Sequence, residues 1–455
     1  MTDTPIVGPY RILDASSDVP LPWYMIPFDP QGVCTAPQTR AMLIGAAQDG
    51  GYTDVFLFSH GWNNTWNVAT ANYAGFMTGY ADMVRARGLT YPRPFHPLLV
   101  GIYWPSIEFI RADEEPPAAR DIEAVGEPQP EPDLAVAVEY PDAHYVTADV
   151  SPADRARFVE LASRSRLTQS ETLEMAQMLL PVYQQSAALE DMPPVAATIS
   201  AQDLVDLWSR TLPPDSAGGA ETDAPTDPLD PTRGIIANVL SFDPRDILRV
   251  VTFLKMKGRA GVVGADGVGP LLRDLLAANS TARVHLLGHS YGCQVVLAAL
   301  CAQPLDRQVN SALLLQPAVS CLCFADNVLN TGKPGGFRAA LERVEQPILV
   351  TYSRRDLPLH DFYHLAVRRL GDVGEVGEDR GLETPPDPHA ALGGYGPVGC
   401  ADECADMEMP APGDGYNLPT GARVIGLNGA QYISGHSDIS NAATWWALYS
   451  QVASQ

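Results

Sequence analysis

The residues from Arg283 to Leu300 constrain the fold of this chain more than any other stretch. An apolar run, Arg283 to Leu287 (RVHLL), leads into Gly288-His289-Ser290-Tyr291-Gly292, and the apolar helical stretch CQVVLAAL leads out. Branched, β-forming residues followed at once by helix formers read as a strand that passes into a helix with almost no loop between them. In G-x-S-x-G the small residues around the serine permit the strained turn that this junction needs, and the turn pushes the serine hydroxyl into the open. A buried strand handed directly to a helix fits a parallel sheet covered by helices, which puts Ser290 at the C-terminal end of that sheet as a candidate nucleophile.

The rest of the chain agrees with that unit. Strands are expected at Trp23 to Phe28, Asp54 to Ser59, Pro97 to Tyr103, Ser311 to Gln316, Ile348 to Tyr352 and Arg423 to Leu427. Helices are expected at Thr35 to Ala47, Val68 to Arg87, Ile247 to Lys257, Val268 to Ala278, Phe337 to Arg343 and Asn441 to Val452, with another after Asp356. Such alternation predicts an α/β class with a mostly parallel central sheet covered by helices on both faces. It breaks after Trp104. From about Ile107 to Asp246 the chain is acidic and proline-rich around one helical stretch near Pro152 to Gln185, and Gly371 to Thr420 is a second such excursion. Tracts of this composition bury too little apolar surface to order themselves. The expected organisation is a core in two parts, 1–106 and 246–455, interrupted at 107–245 by an inserted acidic helical lid. Gly261 to Gly269 neither follows a strand nor precedes a Lys-Ser/Thr pair, so it is expected to link two helices rather than to cradle a phosphate.

A serine hydroxyl needs a base to take its proton, and the base needs a carboxylate to orient it. Where the serine sits on a strand-to-helix turn, the acid and then the base follow it along the chain, each on a loop beyond a strand. His436, in Ser434-Gly435-His436-Ser437-Asp438, lies past the last strand and ahead of the closing helix and is the expected base. Asp356 lies just past the penultimate strand and is the expected acid, with Asp326, Asp361 and Asp438 as rivals. The developing oxyanion needs backbone donors, and these are expected from Tyr291, directly after the serine, and from Trp62 in His60-Gly61-Trp62, where glycine admits the substrate closely. His289 is expected to pack under the turn and His60 to bridge loops.

With GHSYG, the order Ser290, Asp356, His436 and the His60-Gly61 loop, the chain resembles the α/β-hydrolase superfamily, in particular bacterial esterase-like or lipase-like members with an HG-type oxyanion loop, over about residues 20–106 and 246–455. The resemblance implies an α/β-hydrolase fold, a serine hydrolase acting on small-molecule acyl esters through an acyl-enzyme, and no cofactor or metal. The long insertion and the Gly371 to Thr420 excursion depart from compact members, so the resemblance does not reach the substrate. Two other readings stand beside it. His360 and His364, at i and i+4 in His360-Asp361-Phe362-Tyr363-His364, echo a zinc-hydrolase helix with Asp in place of Glu. A binding protein that keeps the α/β-hydrolase fold without catalysis is the other.

The formal net charge is -24, from 54 acidic against 30 basic residues. It argues against nucleic acid, whose affinity rests on Lys and Arg, and against anionic membrane surfaces. No apolar run approaches the roughly 20 residues that span a bilayer, and Met1 to Pro5 lacks the basic and apolar regions of a secretory signal, so no membrane insertion and a cytoplasmic location are expected. The seven cysteines, an odd set, are expected to be reduced and mostly buried.

Overall fold

Runs such as DVFLFS and PLLVGIY have no polar face to offer water, and they form strands buried on both sides. A computed structural model of the chain describes residues 7–13, 19–107, 150–164, 166–185, 200–211, 244–328, 331–363 and 390–454. Its strands are β1 (Arg11–Leu13), β2 (Leu21–Pro27), β3 (Asp54–Ser59), β4 (Pro97–Tyr103), β5 (Arg283–His289), β6 (Ser311–Leu315), β7 (Ile348–Tyr352), β8 (Cys404–Glu408) and β9 (Val424–Asn428). They form one sheet in the order β1-β2-β4-β3-β5-β6-β7-β9-β8. Only β1, on an edge, runs antiparallel to its neighbour. The α/β class and the mostly parallel sheet are therefore as expected.

Period-2 alternation divides the strand residues between two cores. Val55, Leu57, Val284, Leu286, Ala312 and Leu314 meet the helices Pro37–Asp49, Pro244–Val262, Gly269–Ala278 and Tyr291–Cys301 on one face. Phe56, Phe58, Leu287, Leu313 and Leu315 meet Trp66–Ala86 and Ala442–Ala453 on the other.

Four expectations change. The Gly261 to Gly269 stretch is no linker: Pro244–Val262, a π-helical turn at Val263–Val268 and Gly269–Ala278 make one continuous helical run, and the turn's small residues pack against the helix Tyr291–Cys301. The second excursion supplies an edge strand, β8, which its polar, acidic sequence hides because only one side of an edge strand is paired. Cys400 and Cys404 are joined by a disulfide rather than reduced, since the short 3-10 turn Ala401–Glu403 brings their Cα atoms to 5.3 Å. Cys34, Cys293 and Cys301 are free thiols.

The fourth concerns the insertion. Its described residues form not one helical stretch but Arg155–Ala162, Gln169–Gln185 and Ala201–Thr211. Phe158, Leu161, Met175 and Leu179 are buried with Leu204 and Trp208 and with Ile247 and Val251 of the helix Pro244–Val262. These side chains form a small core of their own. Among the described residues no helix is long and apolar enough to cross a membrane.

At the N-terminal ends of β3, β5 and β6, Asp54 bonds Arg283 at 2.8 Å and the ring Nε2 of His285 at 3.0 Å, all three buried. The carboxylate is shared by two donors from another strand, so removing it strands a buried cation. Asp54→Ala is expected to cost about 3–5 kcal/mol of stability. Thermal or urea unfolding checks this, and a variant as stable as the parent would show that the network carries no net energy.

Candidate active site

The strand order reverses between β3 and β5: the helix after β3 leads outward to β4, and the helix after β5 leads the other way to β6. Connections that diverge in this manner leave a crevice beyond the carboxyl ends of the two strands. Gly61 follows β3 into it and Ser290 follows β5. Because the strands are parallel, the loops carrying Gln316, Asp356 and His436 leave β6, β7 and β9 at the same edge.

Ser290 has φ 55° and ψ −125°, a sparsely populated conformation for a residue with a side chain. The turn is enforced by close packing on both sides. A Cβ at position 292 would collide with the Ser59 carbonyl oxygen, and one at position 61 would stand 2.7 Å from the Ser290 Cβ. Glycine at these sites is thus what lets the β3 loop press directly against the serine. The strain is held by hydrogen bonds from Ser290 N–H to the Leu315 carbonyl and from Ala318 N–H to the Ser290 carbonyl.

The three residues singled out from the sequence meet. The Ser290 hydroxyl is 2.9 Å from His436 Nε2, and His436 Nδ1 is 2.8 Å from Asp356 Oδ2. Asp356 is fully buried and accepts a second bond at Oδ1 from Leu359 N–H at 3.1 Å, while the His436 side chain keeps 23% exposure. An acceptor on the Nδ1 side fixes the proton there and leaves Nε2 free to take the serine proton.

Two of the rival acids are engaged elsewhere. Asp326 pairs with Arg338 at 2.6 Å. Asp438 accepts from Ser434 N–H and its hydroxyl, closing the turn that presents His436. Asp361 lies in the π-helical turn Pro358–Phe362. His364 lies outside the described residues, and the His360 ring stacks on Tyr395 at 4.4 Å. Among the described residues no three His, Cys, Asp or Glu side chains are grouped to hold a metal ion.

Tyr291 opens the helix Tyr291–Cys301, whose N-terminal dipole favours negative charge beside Ser290. Trp62 follows Gly61, and its ring meets Phe253 edge-on at 5.9 Å; Phe253 in turn tilts against Tyr291 at 5.2 Å. His60 bridges loops as expected: its Nδ1–H donates to the Gly61 carbonyl, its Nε2 accepts from Trp104 N–H, and the ring stacks on Trp104. Burial pushes its pKa down to about 4. His289 differs from expectation. Instead of merely packing, its Nε2 bonds the His436 carbonyl at 2.9 Å, and burial drives its pKa down to about 3, so it serves as a neutral donor.

Sequence reading missed Gln316 altogether. It is buried, has φ 44°, and places Nε2 2.7 Å from the Gly435 carbonyl, 2.9 Å from the His436 carbonyl and 3.3 Å from Asp356 Oδ2. A lone polar residue at the end of an apolar strand was the signal available.

Asp, His and Ser come together a second time, as Asp54, His285 and Ser311, with the hydroxyl 2.7 Å from His285 Nδ1. That set is fully buried at the opposite, N-terminal edge of the sheet, and Arg283 already neutralises its carboxylate. The distances alone do not make a site; the strained turn and a ring that keeps 23% exposure belong to the Ser290 set, although Ser290 itself is buried. Comparison with protein-family models, with curated proteins and with solved structures finds no match for this chain.

Proposed function

We propose that this chain is a serine hydrolase of the α/β-hydrolase fold that cleaves carboxylic esters of small molecules through an acyl-enzyme. The observation that carries the reading is the continuous line Asp356, His436, Ser290, at 2.8 and 2.9 Å, ending on a serine in a strained turn. Ser290 Oγ attacks the ester carbonyl as its proton passes to His436 Nε2, and Asp356 holds the imidazolium that results. The N–H groups of Tyr291 and Trp62 receive the oxyanion, where one well-aimed donor is worth about 2.7–4 kcal/mol in the transition state. Collapse breaks the ester bond and His436 returns its proton to the departing alcohol. Water, deprotonated by His436, then attacks the acyl carbonyl and frees Ser290 and the acid.

The inserted lid enters this reading through the helix Pro244–Val262. Its Ile247 and Val251 belong to the insertion's core, while Phe253, next along the same helix, touches Trp62 and Tyr291. The described part of the insertion therefore reaches the surroundings of Ser290 through that helix.

A fluorophosphonate probe tests the proposal, because only an activated serine reacts with it. Labelling is expected at Ser290 and nowhere else, together with hydrolysis of acyl esters of graded chain length. Folded protein that neither labels nor hydrolyses any of them would favour the non-catalytic binding protein.

A further inference from the structure

The segment leaving β6 touches every member of the Ser290 site. The Leu315 carbonyl and Ala318 N–H hold the Ser290 backbone, and the Gln316 amide spans Asp356 and the two carbonyls, Gly435 and His436, of the loop that carries the base. Gln316 is itself fixed: it is fully buried, its N–H donates to Thr351 Oγ1 of β7 at 3.0 Å, and its φ of 44° turns the side chain off the strand path. Three acceptors around one nitrogen define the amide as the donor end. Gln316 Oε1 has no partner among the described residues, so the side chain's contacts are all made by donation.

We infer that Gln316 is a positioning residue of the site, locking the His436 loop to the Asp356 carboxylate so that the imidazole is held between acid and serine. The inference rests on the reading of Ser290, His436 and Asp356 as the catalytic set. Nothing reacts at Gln316. Its N–H groups share the Asp356 oxygen that also accepts from His436, so they tie the ring's partner and the ring's own backbone to one rigid amide. His289 gives the His436 carbonyl a second donor, but it does not reach the acid; Ser353 Oγ, donating to the Ile433 carbonyl at 3.0 Å, also joins the two loops, but at a distance from the reacting groups, whereas Gln316 bonds both the Asp356 carboxylate and the His436 carbonyl.

Two variants of the full-length protein test this. Gln316→Met keeps the volume and removes the donors. Gln316→Glu keeps the shape to within one atom and faces the acceptors with a carboxylate. The titratable groups set around His436 are Asp356 and His289, with Asp438 in its own turn, and a further negative charge at 316 favours the protonated ring. Both variants are expected to lose kcat by about 10²-fold with KM within about twofold, as a small misplacement of a catalytic group costs. Gln316→Glu should in addition move the acidic limb of the kcat/KM profile to higher pH, while the loss of kcat at nearly constant KM is what a merely structural role would not produce. Fluorophosphonate labelling of Ser290 should slow in parallel in both. Wild-type kcat and labelling rate in either folded variant would overturn the inference, and so would a loss explained entirely by failure of both to fold. A parent protein that never labels would instead bring down the catalytic set.

Discussion

Ser290→Ala and His436→Ala are each expected to lower kcat by up to about 10⁶-fold, and the double variant should be scarcely slower than either. The reason is geometric. The serine hydroxyl meets one ring nitrogen at 2.9 Å, so without the ring the hydroxyl keeps its proton and without the hydroxyl the ring has nothing to activate. Neither substitution disturbs the turn, which Gly61, Gly292 and the backbone bonds to Leu315 and Ala318 hold in place. Circular dichroism and melting temperature should therefore match the parent, while initial rates on an activated acyl ester collapse. Losses that multiply in the double variant would mean that the two residues act independently, and the assignment would fail.

Asp356→Asn should cost about 10⁴-fold, by the same loss of tautomer control seen when a triad aspartate is amidated. The direction follows from the neighbours of the carboxylate. Leu359 N–H donates to Oδ1, so an asparagine keeps its carbonyl there and turns its NH₂ toward His436 Nδ1. The ring can then face Asp356's replacement only with an unprotonated Nδ1, which puts its proton on Nε2 and leaves no acceptor for the serine. Asp326→Asn is the contrast: that carboxylate is committed to Arg338, and its loss should leave the rate constants of the folded protein unchanged. Steady-state kinetics on the two variants decides the matter. If Asp326 proves the damaging position, the acid has been misassigned.

Both predictions rest on residues that could be named from the sequence, whereas the other half of the site could not. The GHSYG turn was legible because strand period, flanking apolar runs and small residues at fixed offsets are local properties, set within a few residues of Ser290. His436 and Asp356 were legible through chain order, since each follows a recognisable apolar strand and parallel strands bring such loops to one edge. Gln316 was not, because the direction of one amide depends on where Gly435, some 120 residues on, happens to lie. The same holds for β8, an acidic strand that only its pairing with β9 reveals, and for the glycine stretch at 261–269, which reads as a linker until the helix Tyr291–Cys301 is packed against it.

The sequence by itself therefore determined the α/β class, the strained turn at Ser290 and the order of the residues that follow it, all of which are written in short-range pattern. Tertiary structure alone decided which of two Asp–His–Ser groupings combines a strained serine with a partly exposed ring, which carboxylate the base meets, and that the described apolar side chains of the insertion form a core of their own. Hydrogen bonds and burial are settled through space, between groups that share no sequence neighbourhood, and the fold is what brings them within reach.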